Sequence, residues 1–422
     1  MVRLAILLVL LGLTVWEWFA GARKYAYWAA LTGLFVFFSL RYGQGTDYIT
    51  YMGIYANVPA LHTFPNFFAF QYNKIEIGFF YLISLCKMLR MHYAVFIALI
   101  TLVSLLCLNR FIRRFCPLPM FALTIFYAVY SLTYMESAIR QLLPLSIALG
   151  WVLPNWVDKR RWRAIAGIVV ATLLHTSAAV LFALPILFWQ DRPLFVIEWK
   201  ARTTVLLGLL VVAASAVITL VDLTPIIRLL PSQLEYTVYT YYVENNHVSL
   251  LALANRGLFM AIVFLLALRA RARMTPQEKL LFNLYCVGFA LYVVTMAFDL
   301  IASRINVYFR ILDCCLLPVL FYRNRDLIRR TRVALPALLI LLSFLYVKDI
   351  SAIMDYSEYY SSNPLEYPYI TLFNESALLD AKYVNVKNAS AMNAYETGGF
   401  SWNEYYDQLM RKPTVRSPIV PY

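Results

Sequence analysis

Long apolar runs alternate with short polar or basic stretches along most of this chain. An α-helix needs about 20 apolar residues to cross a bilayer, and the bilayer excludes open backbone groups, which favours helices over open strands. The pattern predicts helical segments at residues 3–20, 25–40, 76–90, 93–109, 118–134, 138–156, 164–189, 203–222, 251–269, 279–298, 305–322 and 333–347. We therefore expect an all-α, polytopic membrane protein with about 11 or 12 membrane helices or re-entrant segments.

Composition agrees with a membrane as the solvent of this chain. It is 62% hydrophobic and 14% charged, with a mean hydropathy of +0.65, whereas soluble domains are about half apolar and a quarter charged. The net charge of +14 comes from short clusters between apolar runs rather than from one basic face, so no nucleic-acid partner is expected. Under the positive-inside rule these clusters predict cytoplasmic loops at Arg110–Arg114, Lys159–Arg163, Arg269–Arg273 and Arg323–Arg332.

Three long polar segments separate or follow the apolar runs, at residues 41–74, 223–250 and 348–422. The last carries nine acids and six bases, a net charge of −3. Placing these basic clusters inside puts the segments 223–250 and 348–422 outside, and placing Arg23 and Lys24 inside puts the segment 41–74 outside. We expect a membrane-embedded domain over residues 1–347, with outer loops 41–74 and 223–250, and an extracytoplasmic C-terminal tail over residues 348–422.

Two apolar regions do not fit a simple alternation of spans. The 26-residue run at 164–189 carries His175 in its middle, and topology requires it to return to the side on which it began. It is therefore interpreted as a bent or re-entrant helix pair. One of the two runs between residues 76 and 109 should also fall short of a full span, and the sequence leaves open which one.

The six cysteines lie in or beside apolar runs and lack metal-ligand spacing, so they are interpreted as packing residues. We expect no metal and no cofactor. Residues 4–20 are interpreted as a first membrane helix rather than a cleavable signal peptide, because another apolar run follows soon afterwards.

The first candidate motif runs from Arg41 through Gly43, Gly45 and Asp47 to Tyr48. Its glycines permit a tight turn, and Asp47 can cap a helix on which Tyr48, Tyr51 and Tyr55 share one face. An aromatic face beside charge suits sugar recognition. An interfacial aromatic belt with a snorkelling arginine is the alternative.

Two acidic residues begin the next motifs. Glu76 stands at the mouth of an apolar helix, where favourable interaction with the helix dipole is the alternative to a catalytic role. Glu136 lies four residues before Arg140, and a local salt bridge would explain that spacing. It would not explain an arginine at an outer helix end, against the positive-inside trend.

Ionisable residues within apolar runs are costly and are functional candidates. His175 is one, although a neighbouring carbonyl could also satisfy it. Arg304 and Tyr308 share a helix face, and Arg310 lies deeper in the same run, where it requires an anionic partner. Guanidinium groups bind phosphate oxygens in a bidentate manner, so Arg41, Arg140, Arg304 and Arg310 predict a diphosphate-linked lipid as ligand.

Taken in order, these motifs resemble the EpsG-like branch of the Wzy polysaccharide polymerases. The matching residues are Arg41 to Tyr48, Glu76-Ile77-Gly78, Ile139-Arg140-Gln141, His175-Thr176-Ser177 and Arg304 to Phe309. The resemblance covers roughly residues 5–345. One departure is Leu142-Leu143-Pro144, where the family usually has alanine soon after the Arg-Gln pair, and this departure predicts an altered local helix geometry.

The resemblance implies a metal-independent membrane glycosyltransferase of GT-C type, with residues 1–347 as its catalytic domain. It would extend an O-antigen or exopolysaccharide by moving the growing glycan from undecaprenyl diphosphate onto a new lipid-linked repeat unit. The site would face the exterior of the bacterial cytoplasmic membrane. Besides these lipid-linked oligosaccharides and membrane lipid, a chain-length regulator and a flippase are candidate partners.

The chemistry assigns roles to the candidate residues. His175 and Asp47 are the leading candidates for the base, followed by Glu76 and Glu136. Diphosphate stabilisation falls to Arg140, Arg304, Arg310 and Arg41, and sugar binding to Tyr48, Tyr51 and Tyr308. The alternatives are an O-antigen-ligase-type glycan transferase, a flippase or exporter of lipid-linked oligosaccharide, and a membrane acyltransferase.

Overall fold

The computed structural model describes residues 1–21, 24–61, 75–188, 208–215, 250–356 and 363–374, and within these ranges the chain is almost entirely helical. The one isolated strand pairing there is an antiparallel bridge between Arg41 and Thr371. The chain divides into two compact units. The first takes its described residues from Met1–Arg114, Leu118–Thr176 and the part from Arg332 onward. The second takes them from Phe115–Pro117 and Ser177–Thr331.

The helices are numbered here in chain order. They are α1 Val2–Ala20, α2 Lys24–Ser39, α3 Tyr48–Asn57, α4 Ile77–Met88, α5 Tyr93–Phe115, α6 Pro119–Tyr130, α7 Ile139–Ile147, α8 Leu153–Val157, α9 Arg161–Leu174, α10 Ala183–Phe188, α11 Leu250–Ala270, α12 Pro276–Thr295, α13 Asp299–Arg310, α14 Asp313–Arg323, α15 Arg325–Thr331 and α16 Ala334–Tyr356. Wider π-helical turns occupy Ser131–Ser137 and Ala148–Val152, and a 3₁₀ helix occupies Thr176–Phe182. Residues 208–215 form a further helical piece.

Hydroxyl groups join three helices in the core of the first unit. On α1 and α6, Thr14 and Thr124 share a hydrogen bond of 2.7 Å. Tyr127 on α6 donates to the carbonyl of Arg3, and Tyr346 on α16 donates to the Tyr127 hydroxyl at 2.8 Å. Polar groups buried in an apolar core persist when they are paired in this way.

The opposite end of α1 is fixed by a carboxylate. Glu17 is 2% exposed and accepts the backbone N–H groups of Met120 and Phe121, both at 3.0 Å. These donors lie in the first turn of α6, where the helix itself offers no acceptor.

The basic end of α5 forms an ion pair with the end of α8. Arg114 pairs there with Asp158 at 2.9 Å. Two of the predicted inner-loop clusters therefore lie together.

The second unit is built around α11, α12, α13 and α14. A capping box opens α12, in which Thr275 and Glu278 exchange hydrogen bonds. The Glu278 carboxylate also pairs with Arg323 at 2.8 Å, which ties the start of α12 to the end of α14.

The polytopic helical class is confirmed. Within the described ranges, five helices are long and apolar enough to cross a membrane, at Val2–Ala20, Tyr93–Phe115, Leu250–Arg273, Pro276–Thr295 and Ala334–Asp355. A sixth candidate is the pair Ile301–Arg310 and Asp313–Arg323, bent by about 40°. The sequence predicted one continuous helix over 305–322, and this is corrected by the break at residues 311–312.

The two irregular regions contain a short helix and a broken helix. Between residues 76 and 109, α4 is the short element with 12 residues, while α5 has 23 and is long enough to span. The run 164–189 is broken at His175, where α9 ends and the 3₁₀ helix begins at the next residue. The break in the run 164–189 and the short helix between residues 76 and 109 are confirmed, whereas the side of the membrane on which each region ends stays a prediction.

Other boundaries lie elsewhere than predicted. The last apolar helix continues to Tyr356, beyond the expected start of the tail at residue 348. The outer loop 41–74 contains helix α3, and its residues 62–74 lie outside the described ranges. The predicted loop 223–250 falls outside them except for Leu250, and only residues 208–215 of the predicted helix 203–222 fall within them.

Candidate active site

The Glu76 carboxylate is the centre of a charged cluster in the first unit. Its Oε1 lies 3.4 Å from Nδ1 of His175, and its Oε2 lies 3.2 Å from Nη1 of Arg140. The three side chains are 13%, 7% and 20% exposed, respectively. Residues from three separate sequence motifs are therefore brought together in a mostly buried position.

The break in the predicted re-entrant run creates part of this cluster. α9 ends at Leu174, and His175 adopts an extended backbone with φ −158° and ψ 122°. The next backbone N–H, that of Thr176, donates to Glu76 Oε1 at 3.3 Å. A continuous helix would have used this N–H internally, so the break gives the carboxylate a backbone donor as well as a histidine.

Gly78 explains how α4 brings Glu76 close to the end of α9. A Cβ atom at this position would lie 2.6 Å from the backbone oxygen and 2.7 Å from the carbonyl carbon of Leu173. These backbone atoms cannot rotate away, so only glycine permits this approach. The Glu-x-Gly motif thus pairs a charged residue with the glycine that allows its helix to reach the partner.

Arg140 reaches the cluster from the first turn of α7, directly after a π-helical turn. The suggested local salt bridge between Glu136 and Arg140 is corrected by the structure. Glu136 is 1% exposed and pairs with Arg3 at 2.9 Å, while Arg140 pairs with Glu76. Pro144 lies inside α7 and has no N–H to donate to the Arg140 carbonyl four residues earlier.

The loop from Arg41 to Asp47 packs against the turn that precedes Arg140. Gly43 and Gly45 have positive φ angles of 63° and 98°, and a Cβ atom at Gly45 would lie 2.1 Å from the Glu136 carbonyl oxygen. The backbone N–H of Thr46 donates to the Ser137 hydroxyl at 3.2 Å. The two glycines of this motif therefore serve a turn and a close approach.

Within this loop, Arg41 is 2% exposed. Its guanidinium donates to the Gln44 carbonyl at 3.3 Å and lies 5.4 Å from the centre of the Tyr48 ring. Asp47 occupies the N-cap position of α3, but its carboxylate accepts no capping hydrogen bond, so the expected cap is wrong. The Thr46 hydroxyl donates to that carboxylate at 3.3 Å.

The tyrosines of α3 are buried among other aromatic rings. The Tyr48 ring lies 5.3 Å from Tyr93, and the Tyr51 ring lies 6.2 Å from Phe79. Burial raises the pKa of Tyr48 to about 12, although Arg41 opposes the shift. Packing accounts for both rings as they stand, and sugar contact stays a prediction.

The late motif lies on α13 in the second unit, where Arg304 and Arg310 are both partly exposed. Tyr308 is 2% exposed, and its hydroxyl lies 3.2 Å from that of Ser177. Two motif residues therefore meet here as well. Sugar binding by Tyr308 and diphosphate binding by both arginines stay predictions.

The packing of α13 on α12 depends on another glycine. A Cβ atom at Gly288 would lie 2.1 Å from the Cβ of Phe309, and Asn306 donates to the Gly288 carbonyl at 2.8 Å. The aromatic end of the late motif is thus a packing residue for the helix that carries its arginines.

Two charged residues escaped the sequence analysis. Asp313 is fully buried and lies three residues after Arg310, at the start of α14. The anionic charge expected near Arg310 is therefore present in its neighbourhood. Arg3 is 2% exposed and binds Glu136. A lone charge inside an apolar run was the available signal in both cases.

This protein is a polytopic helical membrane protein, and in the part that the structure describes a carboxylate, an arginine and a histidine from distant motifs meet at the ends of α4, α7 and α9. The EpsG family model matches residues 24–366, and the chain belongs to the EpsG family. Every motif residue from Arg41 to Phe309 lies within the match. No curated protein and no solved structure matches the chain.

Proposed function

We propose that this protein is a polysaccharide polymerase that extends a lipid-linked glycan at the outer face of the bacterial cytoplasmic membrane. The donor is the growing glycan on undecaprenyl diphosphate, and the acceptor is a sugar hydroxyl of a new lipid-linked repeat unit. Family membership supports the broad role. The observation that carries the reaction is the convergence of Arg140 and His175 on Glu76.

His175 is the proposed base. Its Nδ1 faces the Glu76 carboxylate, which favours the tautomer with the proton on Nδ1 and leaves Nε2 as the basic nitrogen. The acceptor oxygen attacks the anomeric carbon, the bond from that carbon to the diphosphate oxygen breaks, and the hydroxyl proton passes to Nε2. Glu76 then stabilises the resulting imidazolium, as an orienting carboxylate does in a catalytic triad.

Arg140 is the proposed cation for the leaving group. Diphosphate gains negative charge as its bond to the sugar breaks, and a guanidinium offers planar paired donors that match phosphate oxygens. Arg304, Arg310 and Arg41 stay further candidates for diphosphate binding. Asp47 stays the alternative base if His175 proves dispensable.

Reconstitution gives a direct test. The purified protein in liposomes should convert a synthetic repeat unit on undecaprenyl diphosphate into a ladder of longer products on a gel. His175→Ala and Glu76→Gln should each lower the rate by at least about 100-fold, the scale of a lost general base. Asp158→Asn serves as the matched control, because this acid also pairs with an arginine but lies at the basic end of the first unit.

Surface polysaccharide from a deletion strain separates the alternatives. Loss of a polymerase leaves single repeat units on the terminal acceptor. Loss of a ligase leaves full-length polymer on the lipid carrier, and loss of a flippase leaves neither outside. Only the first pattern agrees with the proposed function.

A further inference from the structure

A short part of the C-terminal tail pairs with the first candidate motif. The backbone N–H of Tyr42 donates to the carbonyl of Ile370 at 2.9 Å, and the backbone N–H of Leu372 donates to the carbonyl of Leu40 at 3.1 Å. These bonds flank the bridge between Arg41 and Thr371. The tail thus forms a small antiparallel pairing with the start of the Arg41–Asp47 loop.

Arg3 connects this pairing to the turn before Arg140. Its Nε donates to Glu136 Oε1 at 3.0 Å, and its Nη2 donates to Glu136 Oε2 at 2.9 Å. The same guanidinium donates to the Pro368 carbonyl and, at 3.0 Å, to Gln44 Oε1. It also lies 4.2 Å from the centre of the Tyr367 ring. An ammonium group could not supply this planar set of donors.

Gln44 completes the connection. Its Oε1 accepts from Arg3 and from the backbone N–H of Ile370, both at 3.0 Å, and its Nε2 donates to the Pro368 carbonyl. The side chain is 1% exposed. Each of these buried groups is satisfied only when α1, the loop, the π-helical turn and the tail segment are all in place, so their ordering is coupled.

Aromatic contacts hold the outer part of the tail segment. Tyr369 stacks on Phe37 with ring centres 4.5 Å apart and donates its hydroxyl to the Phe37 carbonyl at 2.6 Å. Burial raises the pKa of Tyr369 to about 12, so this phenol keeps its proton at neutral pH and the hydrogen bond persists.

We propose that Arg3 is a positioning residue, and that Arg3, Gln44, Glu136 and Pro368–Leu372 form a clamp that fixes the Arg41–Asp47 loop against the turn leading to Arg140. The effect of the clamp on the reaction rests on the proposed function, whereas the contacts that form the clamp do not depend on it. Arg3 and Pro368–Leu372 lie outside residues 24–366, the part that matches the family. Glu136, predicted as a candidate for the catalytic base, is assigned to the clamp instead.

Amide hydrogen exchange tests the clamp without any substrate. In the wild-type protein in detergent or liposomes, the amides of Tyr42, Ile370 and Leu372 should exchange slowly. In Gln44→Met, which has similar volume and keeps the Arg3–Glu136 pair, their exchange should accelerate by at least about tenfold. Fast exchange in the wild type, or unchanged exchange in the variant, overturns the clamp.

Kinetics test its consequence. Arg3→Lys keeps a positive charge beside Glu136 but loses the planar fork, and we expect this variant and Gln44→Met to reduce kcat by about tenfold or more. Their melting temperatures should stay near that of Thr14→Val, a control that removes another buried polar contact of α1 with α6. Normal kcat in Gln44→Met, with the three amides exposed, overturns the positioning role.

The two proposals fail in different ways. A wild-type protein that makes no polymer contradicts the proposed function, while the exchange experiment still decides whether the clamp exists. Polymer formation at the normal rate by a variant with an open clamp contradicts the positioning role alone. If Arg3→Lys does not fold, Gln44→Met and the wild-type exchange rates decide the result.

Discussion

Alanine at Gly78 should separate Glu76 from His175 without changing any charged residue. The new Cβ would meet the Leu173 carbonyl oxygen at 2.6 Å, and ordinary contact begins at about 3.4 Å, so α4 must move by about 0.8 Å. Glu76 lies two residues before the substitution, at the N-cap of the same helix. Its 3.4 Å contact with His175 would then exceed about 4 Å.

The expected cost follows from this displacement. A misplacement of about 1 Å in a catalytic arrangement can reduce the rate by about 100-fold, which corresponds to about 2.7 kcal/mol of activation free energy. Stability should fall less, because the shift opens one helix contact and deletes no core side chain. We therefore expect polymer formation to drop by about two orders of magnitude while the folded protein remains in the membrane.

The assay measures the rate of ladder formation in liposomes, normalised to the amount of folded protein. Gly33→Ala is the control for the chemical change, because a Cβ at Gly33 has no heavy atom within 4 Å. Gly150→Ala is the control for a clash, since its Cβ would lie 2.5 Å from the Cα of Cys107, away from the Glu76 cluster. If Gly150→Ala loses as much activity as Gly78→Ala, the loss in both variants comes from a general packing defect. If Gly78→Ala polymerises at the normal rate, the separation of Glu76 from His175 is not rate-determining and the prediction is wrong.

Three further predictions address charge, the base and topology. Arg140→Lys should reduce polymerisation by about 100-fold with normal expression, because an ammonium lacks the planar pair of donors of a guanidinium. Arg114→Lys should keep the normal rate. Equal activities of the two variants would remove the assignment of Arg140 to diphosphate binding. His175→Ala should abolish polymer while His92→Ala leaves it unchanged, and retained activity in the first would move the base to another residue. A reporter at the C terminus should be active in the periplasm and one within residues 270–277 in the cytoplasm; a cytoplasmic C terminus would contradict the outer-face site.

The sequence predicted the helical class and most segments because hydrophobic runs reflect what the bilayer demands of any spanning helix. It also predicted the break at His175 and a short segment between residues 76 and 109, because the number of spans between two loops must agree with the sides of the membrane assigned to them. It could not assign the short segment to α4. That required the lengths of both helices, and the ends of apolar helices carry weak local signals.

The partners of the charged residues were beyond a reading of local spacing. Glu136 and Arg140 are neighbours at the distance of a helical salt bridge, yet a π-helical turn intervenes and Arg3, 133 residues earlier, binds the carboxylate. Likewise, nothing near Glu76 in the sequence indicates His175. Long-range pairing depends on which helices pack together, and periodicity alone does not determine packing.

Glycines explain why the motifs combine charged residues with small ones. Gly45 lets the first loop approach the Glu136 backbone, and Gly78 lets α4 approach the end of α9. In both motifs the glycine allows two backbones to approach closely, and a neighbouring side chain supplies the charge. A motif of this kind therefore indicates a close approach of two backbones as well as the presence of a reactive or charged group.

The pairing of Glu76 with both Arg140 and His175 gives the proposed reaction an order. Without donor, the carboxylate is shared between a full positive charge and a histidine, so its effect on the histidine is reduced. A diphosphate that draws Arg140 toward its own oxygens would leave more of the Glu76 charge to stabilise a protonated His175. Donor binding would then strengthen the base, which would become effective only when a leaving group is present. It follows that Arg140→Gln should lower the rate of ladder formation, and that its effect should not add to that of His175→Ala when both substitutions are combined. Separate roles for the two residues would instead give additive effects.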